Sequence, residues 1–150
     1  MNGAGNDFVL LDNRAQTLQL TRDQIVKLCD RHRGIGADGV VLLQPSATGK
    51  ADWAWGFYNS DGSTGEMCGN GARCFARFVQ KRTGINRDFT FETEAGIITA
   101  QFKGELVTIN LTPPSNLRLS EQLSLSVGAQ TVHSVNTGVP HAVLFVPDAD

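Results

Sequence analysis

The run Gly62-Ser63-Thr64-Gly65-Glu66-Met67-Cys68-Gly69-Asn70-Gly71 constrains this chain more than any other segment. Glycine belongs where the backbone takes a positive φ or must approach another group closely. Before the run, Trp53, Trp55 and Phe57 alternate with smaller residues at period two, the pattern of a strand. After it, Ala72 to Arg82 places Phe75, Phe78 and Val79 on one helical face and turns Arg77, Lys81 and Arg82 outward. The cations near the end of that segment and Gly84 just past it are helix-stop signals. The spacing therefore predicts a strand that passes through a glycine-rich turn into an amphipathic helix, with Cys68 immediately before the first helical turn.

The rest of the chain supplies a sheet for that helix. Phe8 to Asn13 reads as a short strand. Thr21-Arg22-Asp23-Gln24 has the form of a capping box, and Ile25, Leu28 and Cys29 follow at helical spacing, which predicts a helix to about His32 that stops at Gly34. Gly39 to Gln44 is a continuous apolar strand. Phe89 to Thr93, Ile97 to Phe102 and Leu106 to Leu111 are strands joined by short turns at Glu94-Ala95-Gly96 and Lys103-Gly104, so they should form an antiparallel meander. Pro113-Pro114 breaks the pattern and marks a domain boundary. Beyond it lie a polar stretch, a strand about Thr131 to Val135 and another at His141 to Val146.

Composition excludes several classes. With 150 residues, 41% apolar and 19% charged, the chain is neither disordered nor fibrous. Its net charge of -2 has no basic cluster, so no nucleic-acid or membrane-surface partner is expected. No apolar run approaches the ~20 residues that span a bilayer, and the N-terminus lacks a signal-peptide pattern; a cytoplasmic location is expected. Three cysteines without a C-x-x-C pair suit neither a disulfide framework nor a zinc site, and no metal is expected.

Cys68 stands out chemically. A thiol ahead of a helix faces free backbone donors and the positive end of the helix, a setting that favours thiolate. The same donors, at Gly69 and Asn70, suit a substrate carboxylate. On spacing alone a second reading stands beside this one: Cys68 as a small residue in a tight strand-to-helix turn. Cys29 and Cys74 read as core, His32 as a solvated cation at a helix end, and His133 carries no signal. His141, after Gly138-Val139-Pro140 at the mouth of a strand, reads as a hydrogen-bonded turn histidine. The two tryptophans read as core rather than a base-stacking platform. Gly34-Ile35-Gly36-Ala37-Asp38-Gly39 has the glycines of a dinucleotide fingerprint but joins helix to strand, the reverse of the required order.

Taken in order, Met1-Asn2-Gly3-Ala4-Gly5-Asn6-Asp7-Phe8, Gly34 to Gly39, Tyr58-Asn59-Ser60-Asp61-Gly62-Ser63, Met67-Cys68-Gly69-Asn70-Gly71-Ala72-Arg73-Cys74 and Asn136-Thr137-Gly138-Val139-Pro140-His141-Ala142 resemble the successive signatures of diaminopimelate epimerase. The resemblance implies an α+β fold, a mostly antiparallel sheet wrapped around a central helix, as one of two pseudo-symmetric domains. It implies interconversion of LL- and meso-2,6-diaminopimelate without pyridoxal phosphate, any other cofactor or metal, in a homodimer. It makes Cys68 one of two acid/base thiols, places Gly69 and Asn70 at the substrate's α-carboxylate and amino end, makes Asn6 and Asn59 side-chain partners of substrate, and gives His141 a tuning role. An amino-acid α-proton is a very weak acid, and inverting its carbon needs a base on one face and an acid on the other. The alternatives are a proline racemase or hydroxyproline epimerase relative, and a non-catalytic amino-acid-binding half-module.

The sequence departs from the family pattern in three places. The Ala-Cys-Gly signature of the second cysteine is absent, Val139 stands where asparagine is common, and little precedes the first signature. The expectation is a chain trimmed at both ends, with residues 1–112 as the first domain and 113–150 as the beginning of a second.

Overall fold

The computed structural model describes residues 1–126 and 128–148, so Ala149 and Asp150 of the expected second domain lie outside the described residues. The chain divides into two compact units, Met1–Asn110 and Leu111–Asp150.

The first unit contains β1 (Asn2–Gly3), β2 (Asn6–Asp12), α1 (Arg22–Cys29), β3 (Gly39–Gln44), β4 (Trp53–Asn59), α2 (Gly69–Thr83), β5 (Phe89–Thr93), β6 (Gly96–Lys103) and β7 (Leu106–Ile109). Its strands make one seven-stranded sheet in sequence order. Two pairings are parallel, β2 with β3 and β4 with β5; the other four are antiparallel. A parallel neighbour needs a crossover connection, and these are the two connections that carry α1 and α2.

The continuous apolar run of β3 follows from that arrangement. Val41 and Leu43 join the core around α2, while Val40 and Leu42 join a second core with Ile25 and Cys29 of α1. A strand covered by a helix on each face has no solvent face to mark with polar residues. α2 is the central element. It touches β1, β2 and β3 near one edge of the sheet and β7 at the other, so the sheet curls around it. Its Ala72, Phe75, Ala76 and Val79 are fully buried, and the Phe75 ring lies 4.8 Å from Phe91 and 6.0 Å from Trp55. Burying each phenylalanine side chain contributes about 1.5–3 kcal/mol. The strand-dominated fold with a curled sheet agrees with the α+β expectation, and the meander β5-β6-β7 is antiparallel as its short turns require.

α1 departs from expectation at its end. Its capping box forms, with Thr21 Oγ1 accepting from Gln24 N–H at 3.3 Å and Gln24 Oε1 accepting from Thr21 N–H at 2.9 Å. The helix stops at Cys29 rather than His32, because Asp30 Oδ1 takes the N–H groups of His32 and Arg33 at 2.7 and 3.0 Å. A short acidic side chain competes with the backbone for those donors. His32 is thus an exposed turn residue, not the last residue of a helix.

The second unit holds β8 (Ser115–Leu125), β9 (Gly128–Asn136) and β10 (Pro140–Val143), a three-stranded antiparallel sheet in the order β10-β9-β8. The stretch expected to be merely polar is β8, the longest strand of the chain at 11 residues. Register shifts at Ser115/Arg118 and Arg118/Glu121 break its pairing with β9, so Leu117 and Leu119 fall out of phase with the residues that follow. β10 ends at Val143, short of the expected Val146.

Candidate functional site

Sheet topology gathers the singled-out residues of the first unit at one end of the sheet. Because β2 and β3 run parallel and β3 and β4 antiparallel, the start of β2 with Asn6, the start of β3 with Asp38 and Gly39, and the end of β4 with Asn59 lie together; Gly39 is paired with both Phe8 and Asn59. The N-terminus of α2 arrives at the same end, since Asn70 Nδ2 donates to Asn6 Oδ1 at 2.7 Å across 64 residues of sequence. Gly3 makes this approach possible. A Cβ there would lie 2.8 Å from both the Asn70 carbonyl oxygen and Cys74 Sγ, so β1 can rest on the first turn of α2 only without a side chain.

Cys68 is the N-cap of α2, with extended φ/ψ of -145°/112°. Its Sγ accepts from Gly71 N–H at 3.4 Å and its carbonyl from Ala72 N–H at 2.8 Å. Gly69 and Asn70 are the first two helical residues, whose N–H groups have no acceptor within the helix. The first turn carries no acidic side chain, so nothing on the helix itself competes with an incoming anion for those donors. Cys68 is half-buried, whereas Cys29 and Cys74 are buried. Desolvation raises both buried thiols, helped at Cys29 by the negative charge of Asp38. Both are core residues, as expected.

Asn59 occupies the same sheet end but is bonded within its own turn. Its Nδ2 donates to Ser63 Oγ at 3.0 Å and its N–H to the Ser63 carbonyl at 2.8 Å. Ser60 N–H donates to the Asp38 carbonyl at 3.1 Å, tying that turn to the start of β3. Cys68, Gly69, Asn70 and Asn6 therefore form one cluster, and Asn59 stands beside it with its amide engaged elsewhere. His141 belongs to the second unit, where it is exposed and opposite Val135 in the β10-β9 pairing. It lines a small hollow with Asn116, Arg118, Ser134, Asn136 and Pro140.

Sequence reading assigned no role to two residues bonded to this cluster. Arg73, one turn along α2, donates to Asn70 Oδ1. Asp38, in the glycine motif dismissed as a nucleotide fingerprint, accepts from Asn6 Nδ2 at 3.4 Å, from Asp7 N–H at 2.8 Å and from Arg31 at 3.0 Å. The Asp7 N–H, followed by the Arg31 guanidinium and the Asn6 amide, holds the Asp38 carboxyl below the usual carboxylate range. An acidic residue opening a strand beside Gly36 and Gly39 was the available signal. Gly36 has φ 81°, a turn that brings Asp38 to the strand start. Among the described residues, no group of three or more His, Cys, Asp or Glu could hold a metal ion, and no helix is long and apolar enough to cross a membrane.

Known proteins resemble both sequence and fold. The chain is 41% identical over 155 residues to a diaminopimelate epimerase of Hydrogenobaculum sp. (strain Y04AAS1), covering 97% of this chain and 56% of that protein. It is 42% identical over 154 residues to a diaminopimelate epimerase of Chlorobaculum tepidum, covering 100% of this chain and 57% of that protein. The chain thus spans little more than half the length of these relatives. Among solved structures it is similar in fold to a hydroxyproline epimerase from Agrobacterium vitis with bound trans-4-hydroxy-L-proline, at TM-score 0.68 and 23% identity over 82% of this chain and 39% of that one. The family model described as diaminopimelate epimerase matches residues 1–116, and on that match the chain belongs to the diaminopimelate epimerase family.

Proposed function

We propose that the protein carrying this chain epimerises LL-2,6-diaminopimelate to meso-diaminopimelate without a cofactor, with Cys68 as one of two acid/base thiols. Family membership supports the reaction, and the placement of Cys68 supports its role. One helix terminus offers a half-buried sulfur to an α-proton, and the Gly69 and Asn70 N–H groups to the adjacent carboxylate as carbanion charge develops there. Asn6 and Asn59 are side-chain partners of substrate, and His141 tunes the site rather than transferring the proton. Inversion requires an acid on the opposite face. Cys29 and Cys74 are buried in the two cores of the first unit, so that acid is neither of them. The protein acts in the cytoplasm as a homodimer, on a small-molecule substrate.

The test incubates the intact protein with LL-diaminopimelate in deuterated water and follows deuterium entry at the α-carbon together with formation of the meso isomer. Exchange that is indifferent to added pyridoxal phosphate and to a chelator is expected. A rate that rises with pyridoxal phosphate or falls with the chelator overturns the mechanism. Binding without exchange identifies a non-catalytic amino-acid-binding module instead, and turnover of proline or hydroxyproline in place of diaminopimelate overturns the substrate.

A further inference from the structure

The cluster beside Cys68 is held by a directional chain of hydrogen bonds. Arg73 donates to Asn70 Oδ1, Asn70 Nδ2 donates to Asn6 Oδ1 at 2.7 Å, and Asn6 Nδ2 donates to Asp38 Oδ2 at 3.4 Å. A side-chain amide taken alone can be turned end for end at little steric cost, because its oxygen and nitrogen have nearly the same shape. Here that freedom is removed from both ends: a guanidinium can only donate and a carboxylate can only accept. Reversing Asn70 would set its NH2 against the Arg73 guanidinium. Reversing Asn6 would set its oxygen against the Asp38 carboxylate. The acceptor end is itself anchored, by Asp7 N–H at 2.8 Å and by Arg31, which also reaches Asp7 at 3.0 Å.

Each amide spends one N–H and one oxygen lone pair on this chain, which leaves one of each to offer outward. The α-ammonium of an amino acid only donates and its α-carboxylate only accepts. Which edge of each amide carries the remaining N–H therefore decides which way round the amino acid fits. We propose that Arg73 and Asp38 are positioning residues that lock the amide orientations of Asn70 and Asn6, and so select the orientation in which the α-carbon substituents of the substrate meet the Cys68 helix terminus. The substrate side of this inference rests on the diaminopimelate reading above; the amide lock does not.

The experiment therefore has two arms, both on the intact protein. In the first, the 15N side-chain amide signals of Asn6 and Asn70 are followed without substrate. Arg73→Met and Asp38→Asn should each shift both pairs of signals and speed their exchange with solvent, and Arg73→Lys, which keeps a donor-only group, should restore the Asn70 pair. Amide signals unchanged in both disabling variants overturn the lock. In the second arm, Arg73→Met should raise the KM for diaminopimelate about tenfold, as expected when bonds to a charged partner are lost, with kcat moving less than about threefold and Arg73→Lys recovering most of the loss. A variant that melts earlier but keeps the wild-type KM shows a merely structural role and overturns the positioning claim. If the wild-type protein neither binds nor epimerises diaminopimelate, the functional reading fails, and the amide signals still decide the lock.

Discussion

Replacing Cys68 by serine should move stability and activity in opposite directions. At the N-cap, the side chain accepts a hydrogen bond from a free helical N–H, and serine exceeds alanine there by about 0.5–2 kcal/mol. Sulfur is a weak acceptor, and its contact with Gly71 N–H is long at 3.4 Å. Cysteine should therefore fall between the two. Because Cys68 is only half-buried, exchanging sulfur for oxygen forfeits little apolar contact. A gain of roughly half a kcal/mol for Cys68→Ser follows, and in a unit of this size it raises Tm by about 2–4 °C, with Cys68→Ala below wild type by a similar amount. The hydroxyl is far too weak a base to abstract an α-proton, so deuterium exchange into diaminopimelate should fall by at least about a hundredfold although the fold is firmer. Thermal unfolding followed by circular dichroism, alongside the exchange assay on the same preparations, reads both. A melting order other than serine above cysteine above alanine refutes the capping argument. Exchange at the wild-type rate in Cys68→Ser refutes the role of the thiol.

Iodoacetamide should label Cys68 well before Cys29 and Cys74, whose thiols are buried and raised by desolvation; peptide mapping that finds Cys74 first contradicts the assignment. Asn6→Ala should weaken diaminopimelate binding by about 1–3 kcal/mol, read by calorimetry. Gly3→Ala should destabilise the first unit by about 1–3 kcal/mol in urea unfolding, because its Cβ meets the Asn70 carbonyl at 2.8 Å; an unchanged midpoint would show that β1 does not rest on α2. Asp12 accepts two hydrogen bonds from the Arg14 guanidinium, at 2.8 and 2.7 Å, and these, with a third from the Arg14 N–H, hold its carboxyl down to about 2 in the folded protein. With an unfolded value near 3.9, the resulting stability is present above about pH 4 and is lost as pH falls toward 2. Asp12→Asn should therefore be less stable at neutral pH and lose less between pH 4 and 2, as followed by urea unfolding across that range.

The local parts of this structure were legible because local rules decide them. β3 and β5 carry apolar residues at β-prone positions between turn signals, and α2 announces itself through Cys68, its apolar face and Gly84, which caps it at φ 73°. What failed did so where a side chain or an irregular pairing overrode the pattern. Asp30 captured two backbone donors and ended α1 early. In β8, Leu117, Leu119, Leu123 and Leu125 all hold odd positions with only Glu121 interrupting them, and the bulges between Ser115 and Glu121 set the first pair out of phase with the second in the pairing with β9. The cluster beside Cys68 was legible in its residues and not in its wiring. Asn6 reaches Asp38 across 32 residues and Asn70 across 64, distances at which periodicity says nothing; the parallel β2-β3 pairing brings the first two together, and the packing of β1 on the first turn of α2 brings in the third.

The two helices of the first unit differ in a way that bears on function. α1 begins with a complete capping box and has Asp23 in its first turn, the arrangement that stabilises a helix start most directly. α2, the helix around which the larger core is packed, begins instead with cysteine at the N-cap, glycine as its first and third residues and no acidic side chain in its first turn. Each glycine inside a helix costs roughly 0.5–1 kcal/mol relative to alanine. Packing accounts for part of this choice: a Cβ on Gly71 would lie 3.3 Å from the Phe8 ring. It does not account for the weak cap or for the missing acid, since the same chain supplies both a strong cap and an acid at α1. An acidic residue at the start of α2 would saturate the helix terminus, and a hydroxyl cap would replace the thiol. The residues that make α2 a poorly capped helix are the ones that leave its positive end open and place sulfur beside it. A local rule kept at one helix and broken at the other, within one unit, supports the α2 terminus as the proposed site more firmly than either helix alone.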